Sequence, residues 1–525
     1  MCFVLQILDS NDLKISNVID NNSGAKLKYT VSEPVITLGS KLQIELPVLP
    51  DNSKGTILIE YSTSSSASGL QWLSPAETVG KVHPYLFSQC QPSHCRSIAP
   101  LQDSPSIKIT YSAELTVPTN LIALMSALPD GEPKSVSDTL RKFSFKQPVP
   151  IPSYLIAIAV GNLESREVGP RSKVWSEPEM IEASAYEFVE TDKFLKTAED
   201  ICGPYVWSIY DLLVLPPSFP FGGMENPCLT FVTPTLLAGD RSLVSVVAHE
   251  IAHSWTGNLV TQKNFEHFWL NEGFTMFVER KILGRIGNEA ERQFSALRGL
   301  DALRQSDLGP TSPFTKLVVD LKGKGHTFLF YLETILGGPS QFEPFLKAYL
   351  DKYKYKSIVT DDFRDFLNQY FAGNPALKKI NWDEWLYSVG MPKIIPDYDI
   401  SLSKASTDLA ERWIEWDESK PCPFVSEDLK SFSYGQNCYV LKYSSQFKRF
   451  LSVESQKDGR CLCIKWLRLC IKNHWEEQVD AALKFITDQG RMKYVRPIYR
   501  DLYAWEEVRD RAIKISLLID LHLRE

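Results

Sequence analysis

The run Val246-Val247-Ala248-His249-Glu250-Ile251-Ala252-His253-Ser254-Trp255 sets His-Glu-x-x-His in an apolar, helix-compatible segment. Residues four apart share one face of a helix, so His249 and His253 can turn two imidazoles toward one metal ion. Two neutral nitrogen ligands suit zinc. Glu250 follows the first histidine and is placed to act as general base in metal-assisted hydrolysis. The plainer alternative is two helix histidines with a salt-bridged glutamate between them.

A catalytic zinc usually takes three protein ligands. Downstream, Phe268-Trp269-Leu270-Asn271-Glu272-Gly273-Phe274-Thr275-Met276-Phe277-Val278-Glu279 reads as a second helix, with Phe274, Phe277 and Val278 on its apolar side. If the two helices pack antiparallel, Glu272 completes a His, His, Glu set. Glu279 lies two turns further along the same face. It is read as a solvent-exposed partner of Arg280 rather than as an outer partner of a ligating histidine. Upstream, Pro220-Phe221-Gly222-Gly223-Met224-Glu225-Asn226-Pro227 offers two glycines that let backbone approach an extended ligand, and a glutamate at a position read as exposed. A plain turn before a strand is the alternative, and the zinc helix that follows favours the functional reading.

These residues need a scaffold, and 525 residues are too many for one core, suggesting about three domains. Hydrophobic content of 44% and charge of 23% are those of an ordinary globular protein. The net charge of -7 gives no reason to expect nucleic-acid binding. No apolar run reaches the length of a membrane span. The apolar start, Met1 to Leu8, lacks a basic region and a cleavage site and reads as a strand. Ten cysteines in so long a chain are no disulfide framework, so reduced thiols and a cytoplasmic location are expected. Cys90, His94 and Cys95 are too few for a second metal site. Residues 1–160 alternate apolar and polar in short runs, such as Lys41–Leu46 and Ile107–Leu115, and read as a β-sandwich or saddle. Residues 161–395 mix strands with longer helices and hold the zinc residues. Pro392, Pro396 and Asp397 mark a linker. Residues 405–525 read as mostly helical, with apolar stripes at Trp466–Ile471 and Val479–Ile486.

The zinc pair, the Trp-Leu-Asn-Glu-Gly segment and the Gly-Gly-Met-Glu-Asn segment together resemble the gluzincin aminopeptidases of the M1 family. Tyr85-Leu86-Phe87-Ser88-Gln89-Cys90-Gln91, Gly257-Asn258-Leu259-Val260-Thr261 and Gln489-Gly490-Arg491-Met492-Lys493 resemble the branch of that family that also opens a fatty-acid epoxide. The resemblance implies an α+β multidomain fold: an N-terminal β-sandwich or saddle, a thermolysin-like zinc catalytic domain and a C-terminal α-helical superhelix. It implies one Zn2+ per chain, held by His249, His253 and Glu272, with Glu250 catalytic. It implies a substrate site built from Gln89, Cys90, Gln91, Pro220, Phe221, Gly222, Gly223, Met224, Glu225, Arg491, Met492 and Lys493. The expected substrates are short peptides with a free N-terminus and a fatty-acid epoxide. Glu225 and Gln91 would hold the α-ammonium, and Arg491 and Lys493 a carboxylate, for which the planar guanidinium fork is suited.

The sequence also departs from the family. After Lys316-Leu317-Val318-Val319-Asp320-Leu321 the family carries a Tyr-x-x-x-x-Tyr segment whose second tyrosine stabilises the oxyanion and whose aspartate directs water in epoxide hydrolysis. Here Leu321 runs directly into Lys322-Gly323-Lys324-Gly325-His326, and no residue takes either role. Tyr331 is no replacement, while His326 is a conceivable substitute donor. Loss of one oxyanion donor costs roughly 10²–10³ in rate. The chain starts within what resembles the family's first sheet, which leaves a strand edge expected to be unpaired. Resemblance stops from about Asn437 to Lys465 and after about Ile513, and Cys438–Tyr443 reads as a strand. Two functions follow: an active zinc aminopeptidase, or a zinc-binding pseudoenzyme impaired by the missing segment.

Overall fold

The computed structural model describes residues 3–48, 50, 54–304, 316–317, 322–416, 419–420, 423–425, 427–443 and 460–518. The junction at 318–321, the middle of the divergent stretch (444–459) and the last residues of the chain (519–525) lie outside them.

Alternating runs form strands. β1 (Phe3–Ser10) and β4 (Ser40–Pro47) pair antiparallel, β3 (Tyr29–Val31) adds to the far side of β4, and β2 (Lys14–Asp20) pairs with β5 (Ile57–Ser62). Leu42 and Ile44, two apart on one face, are buried against Val18 in a small core. Among the described residues β1 pairs with no strand but β4, apart from a single antiparallel bridge from Asp9 to Leu101 near its end, and Val4, Leu5 and Ile7 are exposed on it. Another sheet sets Tyr85–Ser88 between Leu70–Leu73 and Ile158–Gly161. That central place fixes where Gln89, Cys90 and Gln91 emerge.

The residues expected to hold zinc sit beside a mixed five-stranded sheet in the order Glu164–Gly169, Ser172–Ser176, Asp211–Val214, Leu229–Val232, Gly223–Met224. Leu212, Leu213 and Val214, and all of Leu229–Val232, are buried, as strands covered on both faces require. Helices α1 (Ile181–Glu187), α2 (Thr191–Cys202), α3 (Ser245–His253) and α4 (Trp269–Ile286) follow in chain order, and α2 packs on α3 and α4. Val247, Ala248, Ile251 and Ala252 of α3 share one core with Phe274, Phe277, Val278 and Ile282 of α4.

Residues 388–400, which include the expected linker, carry no helix or strand, and Ser401–Ile414 opens a helical region with two cores. Cys438–Tyr443 is not a strand. It lies in the helix Tyr434–Tyr443. The four-residue period is visible in its contacts. Gly435 and Tyr439 face the helix Glu289–Arg304, where Gly435 abuts Arg298 and Phe294 and Tyr439 donates to Asp301 at 2.9 Å. Gln436 donates to the Leu402 carbonyl at 3.1 Å and Val440 packs with Leu409 and Trp413. Packing on two helices overrides the short alternation that suggested a strand.

Candidate metal centre and substrate cleft

α3 and α4 run antiparallel. His249 meets Glu279, His253 meets Thr275, and Gly257, just beyond α3, lies against Asn271. This register carries Glu272 to both histidines. Its Oε2 lies 3.3 Å from His249 Nε2 and 3.9 Å from His253 Nε2, and the two Nε2 atoms are 3.2 Å apart. A cation about 2 Å from three tetrahedral ligands needs ligand atoms about 3.3 Å apart; two sides of this triangle match, and the His253–Glu272 side, at 3.9 Å, is longer.

The outer hydrogen bonds fix which nitrogens face inward. His253 Nδ1 donates to the Thr256 carbonyl at 3.0 Å, with Thr275 Oγ1 also at 3.0 Å. His249 Nδ1 donates to Glu279 Oε2 at 2.9 Å. On both rings Nε2 is therefore the nitrogen that faces inward, the arrangement expected of metal-binding imidazoles. Glu279 is buried and bonded to His249; it is not the exposed partner of Arg280 that the sequence suggested. Arg280 donates instead to Ser295. Burial disfavours a charged His249, but its bonds to Glu272 and Glu279 outweigh burial and raise its pKa to about 10, so a bound cation would replace a proton on Nε2. The donor set of two imidazoles and one carboxylate fits zinc.

Glu250 is buried beside this triangle, and its carboxylate, Glu225 and His253 offer ligand atoms within 4.8 Å of one another. Glu225 is buried rather than exposed, and Asn258 Nδ2 donates to its carbonyl at 2.7 Å. The two glycines are required by side chains and not only by a ligand. A Cβ at Gly223 would overlap the Glu250 carboxylate, and one at Gly222 would stand 2.8 Å from Arg491 Nη2. Among the described residues Gly223–Met224 is the last strand of its sheet, with one backbone edge bonded to no strand, and Gly223 lies against Glu250. Gln89 Nε2 lies 3.3 Å from Met224 Sδ. Gln89 Oε1 and Gln91 Nε2 are buried with no hydrogen-bond partner. Cys90 is buried, Pro220 half-buried, and Phe221 exposed beside Phe219.

The C-terminal segment joins the same loop. Gly490 N donates to the Pro217 carbonyl at 2.7 Å and Met492 N to that of Pro220 at 2.9 Å. This brings buried Arg491 to Gly222, whereas Met492 is half-buried and Lys493 is exposed. His326 is not brought to the centre. It packs between Phe277 and Phe330, without a hydrogen bond at either ring nitrogen, and burial with Arg280, Arg292 and Lys281 nearby drives its pKa well down. Tyr331 donates to the Lys379 carbonyl. His94 bonds Ser68, and among the described residues the candidate metal clusters are those of α3, α4 and Glu225, none at Cys90 and Cys95. Sequence reasoning missed Thr275, Thr235 and Tyr494. Only Tyr494, one turn beyond Arg491, left a local signal.

Comparison with known proteins agrees with this geometry. Residues 5–155 match the peptidase M1 N-terminal domain, 186–385 the peptidase family M1 domain and 436–516 the C-terminal domain of leukotriene A4 hydrolase. Leukotriene A-4 hydrolase of Xenopus laevis is 48% identical, over 97% of this chain and 88% of its own length. The chain belongs to peptidase family M1. Its relatives in the family include leucine aminopeptidase 2 of Yarrowia lipolytica, 41% identical over 94% of this chain and 81% of its own length. Yeast LTA4 hydrolase in complex with bestatin superposes with a TM-score of 0.90 at 34% identity, over 98% of this chain and 87% of that one. The M1 assignment makes the protein a zinc metallohydrolase of the aminopeptidase and leukotriene A4 hydrolase family, with the α+β architecture expected. No described helix is long and apolar enough to cross a membrane.

Proposed function

We propose that this chain releases N-terminal residues from short peptides, using one zinc ion per chain held by His249, His253 and Glu272. The observation that carries the reading is the convergence of two oriented Nε2 atoms and the Glu272 carboxylate beside Glu250 and Glu225. When bound, zinc supplies Lewis acidity and a water of lowered pKa. Glu250 takes the proton of the attacking water and delivers it to the departing amine. Glu225, with Gln91, holds the substrate's α-ammonium, and so restricts cleavage to the first peptide bond. The open edge of Gly223–Met224 aligns the peptide backbone, and Arg491 binds its terminal carboxylate.

Leukotriene A4 is the second proposed substrate, by likeness to the Xenopus enzyme. The missing tyrosine segment bears on both activities. Because Leu321 leads straight to Lys322 and no hydrogen bond joins His326 to Glu250 or the histidines, a slow enzyme or a zinc-binding pseudoenzyme is the second reading. Three units, at 1–160, 161–395 and 405–525, and a cytoplasmic setting complete the proposal; free thiols at Cys90, Cys95, Cys202, Cys228, Cys438 and Cys470 support the latter.

The test is release of the N-terminal residue from an arginyl tripeptide by zinc-loaded protein. Turnover abolished by a chelator and by Glu250→Gln supports the peptidase. Folded, zinc-loaded protein without turnover rejects it in favour of the pseudoenzyme.

A further inference from the structure

Arg491 precedes the helix Met492–Ala504, and Tyr494 lies within the first turn of that helix. The side chain of Arg491 folds back over Tyr494, with Cζ 4.5 Å from the ring centroid. Nη1 donates to the Tyr494 hydroxyl at 2.7 Å and to Thr235 Oγ1 at 3.2 Å. Those two acceptors occupy Nη1. Nε is buried and carries no hydrogen bond, and Nη2 lies beside Gly222. Among the described residues no carboxylate pairs with this guanidinium, although only 4% of the residue is exposed.

A buried guanidinium is costly unless it is paired. Its donors are not equivalent. Nε and Nη2 point the same way and form the side-on fork that grips both oxygens of a carboxylate, while Nη1 lies on the other side. The protein has satisfied Nη1 and left the fork unoccupied toward the Gly-Gly loop.

We propose that Tyr494 is a positioning residue: with Thr235 it fastens Nη1 of Arg491 and thereby reserves the Nε–Nη2 fork for the substrate's terminal carboxylate. This rests on the reading of Arg491 as the carboxylate site. Tyr494 touches no reacting atom; it sets which edge of the guanidinium the substrate meets. Without the hydroxyl, the guanidinium is free to rotate out of this alignment, and the side-on pair of bonds to a carboxylate is held less often. Thr235 alone, at the longer distance, holds it less firmly.

The test uses full-length, zinc-loaded protein in a Glu250→Gln background, so that ligands are not consumed. Calorimetry measures the Kd of an arginyl tripeptide with a free C-terminal carboxylate and of its C-terminal amide. The parent should favour the acid, and Arg491→Ala should abolish that preference. Tyr494→Phe keeps the ring and should cut the acid-over-amide ratio by about five- to tenfold, with the amide's Kd unchanged. Thr235→Val should cut it less. A ratio that survives Tyr494→Phe but not Arg491→Ala overturns the positioning role and leaves the carboxylate site standing. A parent with no acid preference, or with no binding of either peptide, overturns both. An unchanged melting temperature in Tyr494→Phe separates positioning from folding; weakened binding of acid and amide alike, with a lowered melting temperature, overturns the proposal.

Discussion

The Glu279 carboxylate stands 2.9 Å from Nδ1 of His249, and Glu272, seven residues earlier on the same helix, faces Nε2 of that ring at 3.3 Å. One helix face thus supplies both a candidate ligand and the group that orients another. Carboxylates in this outer position fix the tautomer and raise ligand basicity. Glu279→Gln should weaken zinc binding by about 10- to 100-fold, measured by competition with a chromogenic chelator. An unchanged affinity would show that Glu279 merely fills space.

Gly223 offers a sharper probe of Glu250 as the proposed general base. A methyl group there overlaps the Glu250 carboxylate, which must then shift. Displacement of a catalytic group by about 1 Å can cost about 10²-fold in rate. Gly223→Ala should therefore lower kcat by that order while zinc affinity stays at the parent value, since the three ligand atoms lie on α3 and α4. Equal loss of zinc and activity would place the damage in the metal centre instead.

The convergence of His249, His253 and Glu272 is legible because its pattern is periodic: histidines four apart, then a glutamate at the head of a second apolar helix. Glu279 was visible by the same period, yet its burial depends on α3 covering it, which no local pattern reveals. Thr235 is 256 residues from Arg491 in the chain, and only docking of the C-terminal segment on Pro217–Pro220 brings them together. Residues 438–443 misled for a related reason. Their alternation is short, and helix was selected by contacts with Arg298, Asp301 and Leu402, each distant in sequence.

Lys108 ties the β domain to the loop beneath Glu225. Its Nζ donates to the carbonyls of Asn258 and Leu259 at 3.0 and 2.9 Å, and Asn258 in turn holds the Glu225 backbone. Burial draws its pKa down to about 7. An unfolded lysine titrates near ~10.4. Between those values the unfolded chain binds more protons than the folded one, so stability from this group rises with pH across that window. Below about 7 both states are protonated and the full penalty of burying the charge remains. The melting temperature of the parent should climb relative to that of Lys108→Met as pH goes from 7 to 9; a constant gap between the two would refute the shift.

The C-terminal segment docks on the loop that leads into Gly222 and Gly223. Gly490 sits against the backbone of Ser218, where an added Cβ would meet carbonyl oxygen, carbonyl carbon and Cα at 2.5, 2.8 and 3.0 Å. These are backbone atoms, so no rotamer change relieves the clash. The hydrogen bonds from Gly490 to Pro217 and from Met492 to Pro220 depend on that close approach. Gly490→Ala should pry the segment from the loop and carry Arg491 away from Gly222. The zinc triangle, built from α3 and α4 alone, should keep its affinity. KM for an arginyl tripeptide should rise by about tenfold or more while its amide is little affected, because only the carboxylate contact is lost. If acid and amide suffer equally, the segment acts by supporting the whole Gly-Gly loop, and the selective role assigned to Arg491 is the weaker account.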